Sequence, residues 1–114
     1  MATYSYTVNS YVVFLYGGPD GNSGADATVS LQVTGEQPAY VFLRYFPDGT
    51  NLPANSLGTH QNGNLMFYLS YHYDQLSNSI DILRNESPIR FFFNDNNDIG
   101  YIATGTEDVG DGEP

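Results

Sequence analysis

Tyr40-Val41-Phe42-Leu43-Arg44-Tyr45-Phe46 decides the fold, because it reads as a strand that is apolar on both of its faces. A strand sends successive side chains to opposite sides. Val41, Leu43 and Tyr45 therefore point one way, while Tyr40, Phe42 and Phe46 point the other and place Arg44 among rings. Three further segments share this two-sided character: Tyr11 to Tyr16, Leu65 to Tyr73 and Ile89 to Phe93. A sheet with one wet face does not need such strands. A second sheet against one face and a helix over part of the other would account for them.

The rest of the chain supplies the remaining elements of a mainly β domain. Thr3 to Val8 alternates, with Tyr4, Tyr6 and Val8 on one side, and Ala27 to Thr34 places Val29, Leu31 and Val33 inward. Gly17 to Gly24 is dense in turn residues and reads as a surface loop. Gly35-Glu36-Gln37-Pro38 suits a hairpin joining Ala27–Thr34 to Tyr40–Phe46, and Asn62-Gly63 suits a turn into Leu65–Tyr73 after an irregular edge strand. Leu76, Ile80 and Leu83 recur at helical spacing, so Gln75 to Arg84 is expected to be a short α-helix, capped by Asp74 and stopped before Pro88. Ile89–Asn94 and Ile99–Thr104 form a last hairpin around Asp95-Asn96-Asn97-Asp98. The expected architecture is a single-domain antiparallel β-sandwich or strongly curled sheet, occupying residues 1–104, with an acidic, glycine-rich tail at 105–114. One helix of about 15 Å cannot cover a sheet of four or five strands. Some aromatic surface is thus expected to remain uncovered or to be buried by another chain.

Charge narrows the partners. Thirteen Asp and Glu face only three cations, Arg44, Arg84 and Arg90, for a net charge of −10. Nucleic acid and anionic lipid need basic patches, so neither is an expected partner. No cysteine is present, which removes disulfides, thiolate metal sites and thiol catalysis. No signal peptide or membrane-length apolar run is visible, and the expectation is a soluble chain, cytoplasmic by default.

The chemistry-bearing residues are few. Arg84 suits its helix terminus or Glu86. Arg44 and Arg90 alternate with aromatics and are expected to stack on rings and to grip a carboxylate, within the chain or on a ligand. Tyr68, Tyr71, Tyr73 and Tyr101 offer rings, and some of their hydroxyls are expected to reach solvent, a composition found in interfaces and in sugar platforms. His72-Tyr73-Asp74 is a polar group at a strand end, but no nucleophile motif accompanies it. The acidic turns at Asp20–Asp26 and Asp95–Asp98 are explained by turn chemistry, match no calcium loop, and leave calcium binding undecided. No cofactor is expected. The leading expectation is a non-catalytic interaction module, self-associating or contacting another protein through aromatic sheet surface held in register by Arg44 and Arg90. A small carbohydrate-binding module using tyrosine platforms is the alternative, and an acid-base enzyme built on His72 and Asp74 comes third.

Overall fold

The two-sided strands belong to one seven-stranded sheet curled into a half-barrel, not to a sandwich of two sheets. In this computed structural model, which describes residues 2–105, the strands are β1 (Thr3–Leu15), β2 (Ala27–Thr34), β3 (Ala39–Phe46), β4 (Ser56–Thr59), β5 (Leu65–His72), β6 (Ile89–Asn94) and β7 (Ile99–Thr104). A 3-10 turn (Tyr73–Gln75) leads into the one helix, α1 (Leu76–Asn85). Spatial order is β4-β5-β3-β2-β1-β6-β7. The acidic tail beyond Gly105 lies outside the described residues.

Three local readings are corrected. The segments Thr3–Val8 and Tyr11–Tyr16 are one strand, interrupted by a bulge where Val8 pairs with Val33 and Ser10 with Gln32. The extra residue, Asn9, shifts the inward phase from Tyr4, Tyr6 and Val8 to Tyr11 and Val13, as a one-residue slip must. The sheet is also mixed: β3 and β5 run parallel, from Ala39 beside Leu65 to Phe46 beside His72. Residues 47–64 return the chain to the starting end of β3 and place β4 as an antiparallel edge outside β5. Finally, Asp74 does not cap the helix; it sits in the 3-10 turn, and its own backbone N–H donates to the Asp48 carboxylate at 3.0 Å.

Curling brings strands that never pair into contact. Phe67 of β5 is fully buried and receives Tyr4 and Tyr6 of β1 and Phe91 and Phe93 of β6 edge-on, with ring centroids 5.2–5.7 Å away. Edge-to-face packing matches the positive ring edge to the negative face. Near the open side, β7 passes so close over Leu69 that a Cβ on Gly100 would lie 2.4 Å from its Cδ2. Asn55 ties the same seam by donating from Nδ2 to the Asp98 carbonyl (3.0 Å) and accepting from the Ser70 N–H (2.9 Å). The helix closes the inner side with Leu76, Ser79 and Leu83 buried and Ile80, the third member of the expected stripe, partly buried against the core.

One buried polar group is left over among the described residues. Tyr45 is fully buried beside Ser79, whose Oγ donates to the Gln75 carbonyl at 3.0 Å, and the Tyr45 hydroxyl makes no hydrogen bond of normal geometry with any described residue. An unsatisfied buried hydroxyl costs about 1–3 kcal/mol. Tyr45→Phe keeps the ring and its stacking on Tyr71 (5.3 Å). We expect it to raise stability by about 1 kcal/mol, read as a higher urea midpoint at unchanged slope; a lower midpoint would mean the hydroxyl has a partner.

Candidate functional site

Because the inner face is packed, functional chemistry falls to the outer face, where β1, β2, β3 and β5 present two adjacent lateral rows. Val12, Ser30, Phe42 and Tyr68 lie opposite one another in one, and Phe14, Thr28, Arg44 and Ser70 in the other. The β1–β2 loop folds back over the end of these rows and makes a groove of about 460 Å³ lined by Phe14, Tyr16, Asn22, Thr28, Arg44 and Tyr68, with Ser23 and Phe42 completing it.

The loop's own sequence explains its course. Gly21 adopts φ +58°, where a Cβ would stand 2.0 Å from the Ala25 carbonyl oxygen, so only glycine fits. Asn22 and Ala25 then exchange backbone hydrogen bonds at 2.9 and 3.0 Å, and Ala25 is fully buried as the anchor. Asp26 N–H donates to the Tyr45 carbonyl (2.8 Å), which joins the loop to β3.

Arg44 forms part of the groove. Its guanidinium carbon stands 5.3 Å from the centre of the Phe46 ring, and Nη2 donates to the Asn22 carbonyl at 3.1 Å. Arg90, on β6, lies over Phe92 at 5.9 Å and donates to Thr7 Oγ1 (2.8 Å) and Ser5 Oγ on β1. Both arginines stack on rings, as the alternation implies. Neither, however, holds a carboxylate among the described residues. Arg84 pairs with Asp81 at 3.2 Å, one turn back in its helix, with both side chains well exposed. The physical reason is topological: the carboxylates cluster in turns, whereas Arg44 and Arg90 project from mid-sheet beside hydroxyls and carbonyls.

The tyrosines separate by face. Tyr68 is on the outer face, stacked on Phe42 at 5.3 Å and 21°, and Phe42 continues to Tyr40 at 6.5 Å and 28°. His60 meets Tyr40 edge-on at 5.5 Å. Rings stacked side by side turn their faces to one another and their edges to solvent. Tyr101 is outward and about half exposed, tilted against Phe92. Tyr71, in contrast, points inward onto Tyr45, and burial raises its phenol ionisation; Tyr73 packs against the core at the helix start. Their hydroxyls are therefore not a common solvent platform.

His72 is set apart from the groove. Its Nε2 is 2.7 Å from the Thr50 carbonyl oxygen, and no hydrogen bond joins it to Asp74. No three His, Asp or Glu side chains of the described residues gather as a metal site. Around Asp95–Asp98 the backbone N–H groups of Asn96 and Ile99 donate turn bonds to the side-chain oxygens of Asn94 and Asn97, with Asp98 at φ +57°.

Phe14, Tyr16, Asn22 and Thr28 were not singled out by sequence reasoning. The two-sided apolarity of Tyr11 to Tyr16 was the available signal for the first two. Nothing local indicated that Thr28 and Arg44 stand side by side. The chain matches no protein-family model, no curated protein and no solved structure.

Proposed function

We propose that this protein is a non-catalytic interaction module that self-associates through its sheet, with the second half of β1 as the contact. The observation that carries the reading is four consecutive large apolar residues left in solvent: Val12 (45% exposed), Val13 (38%), Phe14 (47%) and Leu15 (69%). They alternate between both faces of a strand that pairs with β2 on one side only. β6 accompanies β1 just from Thr3 to Thr7, after which the β1 edge has no strand beside it among the described residues.

Such an edge exposes unpaired backbone groups and invites another strand. Its sequence, Ser10-Tyr11-Val12-Val13-Phe14-Leu15, carries no charge. On a chain of net charge −10, an uncharged strand is where two copies meet without like-charge repulsion. Antiparallel pairing about Val13 would set apolar residues against apolar residues on both faces at once. The β7 edge is less suited: Gly100 interrupts it, and Ile99 and Tyr101 are exposed on one face only. Arg90 is engaged by the Ser5 and Thr7 hydroxyls, so it staples β1 to β6 and does not set the register of association.

The sugar-platform reading is less favoured, since Tyr40, Phe42 and Tyr68 offer ring edges where a pyranose needs a ring face. Sedimentation velocity over a wide concentration range tests the proposal. We expect a concentration-dependent dimer, with Val13→Lys raising the dissociation constant by roughly 100-fold or more, because a lysine in the paired edge buries an unmatched charge. Ile99→Lys on β7 should leave the dimer intact. A chain that stays monomeric at every concentration, or a dimer lost equally with both variants, would sink the reading.

A further inference from the structure

The geometry points to the Arg44 groove as a binding site for a small aromatic carboxylic acid, a ligand role that goes beyond self-association and shares Phe14 with the proposed contact. The first ground is charge. In a chain with thirteen carboxylates, Arg44 has none among the described residues; it donates to one backbone carbonyl and presents a planar fork of five N–H donors. That fork matches a carboxylate in two-point geometry, and its hydrogen bonds to an anion are stronger than those to a neutral acceptor. The net charge of −10 opposes an anion over the surface as a whole, so attraction at the groove comes from Arg44 itself and acts locally against that field.

The second ground is the shape and chemistry of the walls. A volume of about 460 Å³ falls in the range of small-molecule sites, which combine apolar and aromatic lining with a few convergent polar groups. Phe14 and Tyr16 come from β1 and its loop, Phe42 and Tyr68 from the far side, with Thr28 between. The stacked pair Phe42–Tyr68 turns ring edges outward. Ring edges carry the positive end of the aromatic quadrupole and attract the face of another aromatic ring. A flat aromatic body therefore fits better than a sugar, whose C–H face seeks an open ring face. The carboxylate would lie on Arg44, and the ring between Phe14 and the Phe42–Tyr68 pair.

Titration of the full chain with 2-naphthoate, followed by amide and arginine side-chain NMR and by calorimetry, tests this. We expect saturable binding that shifts Arg44 Nε–H and the amides of Phe14, Thr28 and Tyr68. Binding of 2-naphthalenemethanol, the neutral analogue, should be roughly tenfold weaker or worse. Arg44→Gln should weaken naphthoate to the level of the alcohol, and Tyr68→Val should weaken both by a similar factor, which keeps the test decisive if the arginine variant unfolds. Sedimentation of each sample in the same buffer shows whether the dimer is unchanged, so the two proposals stand or fall separately. Tighter binding of glucuronate than of naphthoate, shifts confined to other surfaces, insensitivity to both substitutions, or no binding at millimolar naphthoate would overturn the assignment.

Discussion

Phe67→Ala is expected to cost about 3–5 kcal/mol, the largest loss from any single truncation in the sheet. Phe67 is fully buried, and the four rings around it, Tyr4, Tyr6, Phe91 and Phe93, come from β1 and β6, neither of which pairs with β5. Backbone pairing alone holds neighbours together along the sheet. Only side chains hold its two wings toward each other, and Phe67 is where they meet. Truncation removes the transfer free energy of a phenyl ring and leaves a cavity that four edge-packed rings cannot easily collapse, since each is anchored in its own strand. A domain of this size is stable by about 5–15 kcal/mol, so the variant should be near the limit of folding. Urea unfolding checks the magnitude, and Phe67→Leu, which keeps most of the volume, should lose less than about 2 kcal/mol. Phe42→Ala, on the half-buried outer row, should also lose less than Phe67→Ala. Equal losses at Phe42 and Phe67 would mean the inner cluster is not what closes the sheet.

Alkaline unfolding is the second large effect. Burial raises the ionisation of Tyr45 well above the ordinary phenol range, with stacked Tyr71 adding to it and nearby Ser79 opposing it. Burial also raises Tyr71, and it raises Tyr6, to which Tyr4 and Glu36 contribute. A phenol whose folded pKa exceeds its unfolded value of about 10 keeps its proton in the folded chain while the unfolded chain releases it. Stability from these groups is therefore full below pH 10 and falls as pH rises above it. Tyr45 alone contributes a slope of about 1.4 kcal/mol per pH unit, and Tyr6 and Tyr71 steepen it. The expected result is a urea midpoint that is flat on this account to about pH 10 and drops sharply by pH 12. Tyrosinate absorbance should show a fraction of the ten tyrosines titrating only with loss of structure. Tyr45→Phe should flatten the slope. A midpoint that is unchanged through pH 12, with every tyrosine titrating in the folded chain, would contradict the buried placements.

Much of the fold was legible because the period of two survives wherever a strand is packed on one side. Val29, Leu31 and Val33 in β2, and Phe91 and Phe93 in β6, face the core as their alternation requires. The helix was legible from Leu76 and Leu83, and the edge strand before Asn62-Gly63 from its interrupted pattern. Asn9 hid the unity of β1, since a bulge breaks alternation in the same way as a turn does. The parallel pairing of β3 with β5 was hidden for another reason. Both strands are apolar on both faces, and such a pattern fits any neighbour in either direction.

The candidate site shows the same division. Composition and alternation by themselves determined that Arg44 and Arg90 are cations among rings, and that aromatic surface exceeds what one helix can cover. Those are properties of neighbours along the chain, within reach of one strand's geometry. Only the tertiary structure decided that Arg44 stands beside Thr28 within a groove roofed by the β1–β2 loop, that Arg90 is engaged by Ser5 and Thr7, and that four exposed apolar residues run consecutively in β1 beyond the end of β6. Each of these depends on register between segments far apart in sequence. Register is set by the summed packing of the whole sheet, so no single segment encodes it.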